Sequence, residues 1–367
     1  MNKRAILVLE DGSVFAGLSF GAETDTCGEV VFNTSMIGYQ ETLTDPSYAG
    51  QIVLPTYPLI GNYGTNDADI ESRKIQVRGF VVREECAQPS HYLNTGTLHD
   101  YLAASGIPGL QGVDTRAITR KLRSRGVMMG YLTASKTPEE ALAALKKVPD
   151  YGSLDYVKQV STEKAYAWAP ESAPTEPSAR VVVLDCGLKY NILRLLQQHG
   201  CAVTAVPCTT PAKDILKMQP DGILLSPGPG DPELLDYVTE TVKGLIGEKP
   251  VMGICLGNQM IARAFGGKNF KLKFGHRGGN HPVKDLKNGR VHITAQNHGY
   301  AVDPDSIKGS GLEITHINLN DNTVEGLRHK ELPVFAIQYH SEASPGPLDN
   351  TYLFEEFMGM IKKGKSS

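Results

Sequence analysis

Between residues 181 and 265 the chain alternates short, apolar, β-branched runs with stretches of helical periodicity, and this alternation restricts the fold more than any other feature of the sequence. Residues 181–184 (VVVL) lead into a loop at Gly187 and a helical run over 190–198 that Gly200 closes. Residues 202–206, 211–218, 222–225, 233–246 and 250–254 then repeat the rhythm as strand, helix, strand, helix and strand. Strands buried on both faces read as continuous apolar runs, and parallel neighbours need a crossover of about a dozen residues, usually helical. An α/β fold follows, with a doubly wound, mostly parallel sheet and functional groups at the carboxyl ends of its strands.

The first half has a different texture. Strand-like runs at 4–9, 30–32, 52–54 and 79–82 are separated by turns rich in Gly, Pro, Asp and Asn, which suggests a separate mixed β/α domain. Asp114 or Thr115 is placed to cap a helix that ends at Gly126, with Ile118 and Leu122 inward and the basic residues outward. Thr137-Pro138-Glu139-Glu140 is a capping box with proline in the first turn. At 367 residues the chain is long enough for two domains, and the segment 167–180, with three prolines and no apolar periodicity, separates them. The expected division is 1–150 for the first domain, 151–179 for the linker region and 180–367 for the second domain.

Composition removes several alternatives. Hydrophobic residues at 41% and charged residues at 21% describe an ordinary globular chain rather than a disordered or fibrous one. A net charge of -3 without a dense basic stripe argues against nucleic acid as a partner. No run approaches the roughly 20 apolar residues that cross a bilayer. The apolar start is interrupted at Glu10 and Asp11, too early for a signal peptide. The six cysteines show neither C-x-x-C spacing nor a dense framework, so reduced thiols and a cytoplasmic location are expected.

One of those cysteines stands in a special place. Residues 250–254 run straight into Gly253-Ile254-Cys255-Leu256-Gly257-Asn258-Gln259 and then an apolar helical stretch. Small residues on both sides allow a strand to turn sharply into a helix and lift the side chain clear of the sheet. The helix start favours a thiolate, and the N–H after it can serve an oxyanion. The competing reading is a buried structural cysteine. A thiolate nucleophile needs a base with an orienting group, and His340 with Glu342, at the end of the strand-like run 334–337, offers both on one face of an extended backbone. Ser226-Pro227-Gly228-Pro229-Gly230-Asp231-Pro232 follows another strand end and either forms a plain turn or aims backbone N–H groups at an oxyanion; without a following Gly-Lys-Ser/Thr it is no phosphate loop. His276 and His281, separated by glycines in GHRGGNHPV, read as a turn rather than a metal site.

GICLGNQ, SPGPGDP and QYHSEASPGP, in this order and spacing, resemble the three signatures of class I, triad-type glutamine amidotransferases. The likeness extends over nearly the whole chain to the small, glutamine-hydrolysing subunits of carbamoyl phosphate synthetases, through VLEDGSVFAG, GEVVFNTSMIGYQETLTDPSYAGQIV, YPLIGNYG and IPGLQGVDTRAITRKLR. The resemblance implies Cys255 as nucleophile, His340 as base and acid, and Glu342 as the group that orients it. It implies glutamine contacts at Ser47, Gly228, Gly230, Leu256, Gln259, Asn297, Gly299 and Tyr300, with Ser47 reaching across from the first domain. It also implies a large synthetase subunit as partner, which would hold ATP and magnesium and make carbamoyl phosphate for the pyrimidine or arginine pathway, while this chain carries no cofactor. Three positions depart from the family pattern: Asn258 where His is usual, Pro227 where Asn is usual, and Ser341 where Pro is usual.

Rival readings are an amidotransferase serving another acceptor, a cysteine-bearing α/β hydrolase, and an inactive docking module. The segments 112–122 and 45–53 count against the first. The second expects its acidic residue before the histidine, whereas Glu342 follows His340. The third is separated only by an assay of glutamine hydrolysis.

Overall fold

A computed structural model describes residues 3–169 and 176–366, and the chain divides into two units, Met1–Leu154 and Asp155–Ser367. Strands of the first unit are β1 (Arg4–Leu9), β2 (Val14–Gly21), β3 (Thr26–Asn33), β4 (Gln51–Pro55), β5 (Leu59–Ile60), β6 (Gly79–Val81), β7 (Glu84–Glu85), β8 (Pro108–Gln111) and β9 (Met128–Thr133). Seven of them close a barrel in the order β1-β2-β8-β6-β4-β3-β9, while β5 and β7 pair separately. Closure leaves the barrel without an unpaired edge. The pairs β3/β4, β4/β6 and β6/β8 are parallel, and their connections carry the helices α1 (Tyr39–Thr44) and α2 (Leu98–Ala104). Phe20, Val31, Leu43, Tyr48, Val53, Phe80, Leu98 and Leu102 form one buried cluster. Gly109 belongs beside it because a Cβ there would lie 2.4 Å from the Phe20 ring.

The helices α3 (Thr115–Arg125) and α4 (Pro138–Leu145) start as their sequences foretell. Asp114 Oδ1 accepts from the Ala117 N–H at 2.9 Å, satisfying one of the helix's orphan donors, and Gly126 terminates α3 with φ 107°. Ile118 and Leu122 are fully buried, whereas Arg116, Arg120, Arg123 and Arg125 are exposed. Both halves of the capping box at Thr137 and Glu140 are formed.

In the second unit the helices are α5 (Val157–Val160), α6 (Tyr190–Gln198), α7 (Ala212–Lys217), α8 (Asp236–Leu245), α9 (Leu256–Ala264) and α10 (Tyr352–Ser366). Its strands are β10 (Tyr166–Ala167), β11 (Ala179–Asp185), β12 (Cys201–Pro207), β13 (Gly222–Leu225), β14 (Val251–Ile254), β15 (Asn269–Asp285), β16 (Val291–Val302), β17 (Leu312–Asn318), β18 (Val324–His329) and β19 (Val334–Ile337). They form one sheet in the order β10-β12-β11-β13-β14-β19-β18-β17-β15-β16. The run β12-β11-β13-β14-β19 is parallel, the doubly wound order whose switch point lies between β11 and β13. Side chains alternate across it. Val182 and Leu184 of β11 join the cluster containing Val238, Val242, Met260 and Ile261 of α8 and α9, while Val181 and Val183 join Ile192, Leu196, Phe354 and Phe357 of α6 and α10. That period of two explains why residues 181–184 of the strand are all apolar.

Two expectations need restating. The turn expected around His276 and His281 is instead part of β15, a strand of 17 residues with irregularities between Lys271 and His276 and between Gly278 and His281. Gly275 (φ 72°) and Gly278 (φ 150°) take up these bulges, so the glycines bend a strand that pairs with both β16 and β17 rather than ending it. In the region assigned to a linker, α5 and β10 are regular elements of the second unit: β10 pairs antiparallel with β12, and Val157 joins the core. Residues 170–175, which hold two of the three prolines, lie outside the described residues. No helix among the described residues is long and apolar enough to cross a membrane.

Candidate active site

Strand β14 ends at Ile254 and α9 begins at Leu256, leaving Cys255 alone at the bend with φ 54° and ψ -105°. A residue with a side chain adopts such a conformation at a cost of about 1–3 kcal/mol, so the surrounding structure must impose it. The glycines make it sterically feasible. A Cβ on Gly253 would lie 2.7 Å from the Gly257 backbone, and one on Gly257 would lie 2.4 Å from the Leu225 carbonyl oxygen. The Cys255 N–H donates to the Ile337 carbonyl at 2.8 Å, and its thiol donates to the Asn297 carbonyl at 3.7 Å.

Parallel pairing of Ile254 with Ile337 puts the ends of β14 and β19 side by side, so Cys255 and His340 emerge from neighbouring strands although 85 positions separate them. Beyond β19 the chain does not stay extended as expected. His340 makes a single bridge to Ala295, and the chain then turns, with the Ala343 N–H donating to the His340 carbonyl at 3.1 Å. The turn, rather than a shared strand face, brings the two side chains together, with His340 Nδ1 2.6 Å from Glu342 Oε1.

Charges converge here. Glu342 Oε1 also accepts from Lys189 Nζ at 3.0 Å; Lys189 is 2% exposed and Glu342 fully buried. Lys189 donates in addition to the Ala343 carbonyl, and Asn191 Nδ2 donates to the Glu342 carbonyl at 2.5 Å. Burial pushes the Glu342 carboxyl up, but the Lys189 and His340 charges outweigh it and hold the group at about 2. Burial likewise pulls the His340 ring down, yet the Glu342 charge, a side-chain interaction with Cys255 and the Glu342 hydrogen bond raise it to about 10. Nε2 of His340 makes no well-aligned hydrogen bond. Cys255 is nevertheless among the groups that raise the ring, so the ring is within the influence of the sulfur.

The loop after β13 presses on the start of α9. A Cβ on Gly228 would meet the Cys186 carbonyl oxygen at 2.3 Å and Leu256 Cδ2 at 2.6 Å, so only glycine fits, and Gly230 has φ 88°. Ser226 Oγ accepts from the Cys186 N–H at 2.9 Å and fixes the loop's beginning. Pro227 is accommodated here.

Strand β16 brings Asn297, Gly299 and Tyr300 past the bend. Gln259 Nε2, one turn into α9, donates to the Tyr300 carbonyl at 3.0 Å and to Gln338 Oε1 at 3.2 Å. Asn258, fully buried, donates to the same Gln338 oxygen at 3.3 Å. The second unit therefore carries ten of the eleven expected site residues, in the loop after β13, at the start of α9 and the bend before it, on β16 and just past β19. Ser47 belongs to the first unit, in the short turn Pro46–Tyr48, where its N–H donates to Asp45 Oδ1 at 2.9 Å and its buried hydroxyl has no hydrogen-bond partner among the described residues.

His276, His298 and Glu325 bring ligand atoms within 4.8 Å of one another. Each is already engaged in hydrogen bonds. His276 Nε2 meets Asp321 Oδ2 at 2.8 Å, Glu325 accepts from Asn318 at 2.9 Å and Gln296 at 3.0 Å, and His298 lies 2.7 Å from the Tyr300 carbonyl. Burial lowers the His276 ring, but Asp321 and Glu325 raise it to about 9, so it is the cation of an ion-paired brace joining β15, β16, β17 and β18. Burial also raises the thiols of Cys186, Cys201 (about 11) and Cys208, which makes them poor nucleophiles at neutral pH.

Lys189 and Asn191 belong to no motif legible in the sequence. Lys189 sits just past the carboxyl end of β11, the position where such a sheet gathers its functional groups.

A strained cysteine at a strand-to-helix bend, with a buried His–Glu pair in the turn just past the end of the next strand of a doubly wound sheet, defines a triad-type amidotransferase site, and residues 182–360 match the family description "Glutamine amidotransferase class-I". Residues 7–132 match "Carbamoyl-phosphate synthase small chain, CPSase domain". A carbamoyl phosphate synthase small chain of Akkermansia muciniphila is 53% identical over 370 residues, covering 99% of this chain and 98% of its own length. Those of Syntrophotalea carbinolica (50% identical, 99% of each chain) and Listeria monocytogenes (53% identical, 98% of this chain and 97% of its own) are similar throughout. The chain belongs to the carbamoyl phosphate synthase small chain family.

Proposed function

We propose that this chain hydrolyses the side-chain amide of L-glutamine at Cys255 and delivers ammonia to a large synthetase subunit, which combines it with bicarbonate and ATP to make carbamoyl phosphate. The observation that carries the reading is the placement of Cys255 and the His340–Glu342 pair at the ends of paired strands, in a family whose members are synthase small chains. With His340 already protonated beside Glu342, the Cys255 sulfur attacks the amide carbon as a thiolate while the N–H groups of Gly228 and Leu256 hold the oxyanion. The imidazolium passes its proton to the departing nitrogen, releasing ammonia and leaving a thioester. Water, deprotonated by His340, attacks that thioester, and glutamate is released as the cysteine sulfur departs as a thiolate and the ring keeps the proton. Glu342 holds the ring so that Nε2 faces the sulfur, and Lys189 keeps Glu342 ionised.

Glutamine contacts are assigned to Ser47, Gly228, Gly230, Leu256, Gln259, Asn297, Gly299 and Tyr300. ATP and magnesium are assigned to the large subunit, and the complex to the cytoplasm, where free thiols persist. Glutamine hydrolysis measured with and without the large subunit tests the reading. Glutamate release that rises with the partner supports it, and no glutamate under either condition makes the chain a docking module instead.

A further inference from the structure

The loop carrying Gly228 must hold its N–H within a few tenths of an ångström of the developing oxyanion, because donors of this kind act through preorganisation. Its far end is tied to β16 by a side-chain bond. Tyr300 Oη donates to Asp231 Oδ2 at 3.0 Å, while Asp231 Oδ1 accepts from the Glu233 N–H at 2.9 Å and caps the turn Pro232–Leu234. Tyr300 is 7% exposed, and its own carbonyl accepts from Gln259 Nε2 at 3.0 Å, one turn beyond Cys255 on α9. A single residue thus holds the nucleophile's helix through its backbone and the oxyanion loop through its hydroxyl. On the other side of the loop, Arg263 of α9 donates to the Pro232 carbonyl at 2.7 Å, so the segment just after Asp231 is anchored to the same helix.

We propose that Tyr300 and Asp231 form a latch that sets the oxyanion loop in register with the nucleophile, Tyr300 acting as a positioning residue through its hydroxyl. This rests on the assignment of Cys255 as nucleophile and of Gly228 as an oxyanion donor. The latch matters where charge develops on the amide oxygen and little where glutamine first binds, so its loss lowers kcat more than it changes KM.

The test uses the two-subunit complex, with glutamine-dependent and ammonium-dependent synthesis measured in parallel. Tyr300→Phe, which removes one oxygen, is expected to lower the glutamine-dependent kcat about tenfold, the order expected for a hydrogen bond to a charged group, with KM within about twofold. Asp231→Ala is expected to do the same, Asp231→Asn to recover most of that loss because it keeps an acceptor oxygen, and the double variant Tyr300→Phe/Asp231→Ala to be no slower than Asp231→Ala alone. Ammonium-dependent synthesis, which bypasses the loop, stays constant in all four. A Tyr300→Phe complex whose glutamine-dependent kcat stays within twofold of the parent overturns the latch, as does a purely additive double variant. Cys255→Ala in the same assay separates the two levels: if it still consumes glutamine, the nucleophile assignment has failed rather than the latch alone.

Discussion

The His340 Nδ1 to Glu342 Oε1 hydrogen bond, 2.6 Å long and wholly buried, joins a ring held at about 10 to a carboxyl held at about 2, so the pair is ionic across the neutral range. Cys255 is among the groups that raise the ring, so the pair and the nucleophile are electrostatically linked.

Glu342→Gln removes that charge. It is expected to lower the glutamine-dependent kcat by about tenfold or more and to weaken the folded state in a pH-dependent way. A histidine raised on folding from 6.5 to about 10 contributes stability that is complete below about 6.5 and is lost as the pH climbs through about 10. A carboxyl lowered from 4.5 to about 2 contributes stability that is complete above about 4.5 and is lost as the pH falls through about 2. The stability difference between parent and variant, measured by denaturant titration, should therefore be greatest between about pH 4.5 and 6.5 and shrink on either side. A pH-independent difference would contradict the ionic pair.

Lys189→Met leaves the buried Glu342 without its lysine partner. Breaking one side of a buried ion pair costs about 3–5 kcal/mol, so the variant should unfold at markedly lower denaturant concentration. Lys189→Met/Glu342→Gln should be less destabilised than the sum of the single variants, since the second change removes the charge the first had stranded.

Gly257→Ala places a methyl group 2.4 Å from the Leu225 carbonyl oxygen. Relief requires α9 to move off the sheet, which displaces Cys255. The expected cost is about 1–3 kcal/mol with loss of glutamine-dependent synthesis, read by thermal unfolding and by the coupled assay. Gly247→Ala, with nothing within 4 Å, carries only the backbone strain of its φ of 87° and serves as the comparison.

Ser47→Ala is expected to raise the KM for glutamine several-fold with little change in kcat, the pattern of a group that binds substrate and transition state equally. An unchanged KM in steady-state kinetics of the complex would remove Ser47 from the glutamine contacts.

The chemistry was legible where sterics leave a local imprint. Gly253 and Gly257 flank Cys255 because nothing larger fits the bend, and the alternating apolar runs from residue 181 onward mirror strands covered on both faces. The runs at 4–9, 30–32, 52–54 and 79–82 fall on β1, β3, β4 and β6, but closure of the barrel was not legible, since β8 and β9 contain glycines and barrel pairing joins residues far apart in sequence. The glycines of β15 mimic a turn while serving as bulges. The role of Lys189 is not legible because its partner lies 153 residues away, and a long-range ion pair leaves no periodic trace.

The central claim is that Cys255 becomes covalently bound to the glutamyl group. Intact-protein mass spectrometry of the complex, acid-quenched during turnover of glutamine, tests it most directly. A glutamyl adduct that maps to Cys255 and vanishes in Cys255→Ala, while that variant still makes carbamoyl phosphate from ammonium, is the predicted result. Continued glutamate release by Cys255→Ala would contradict the account.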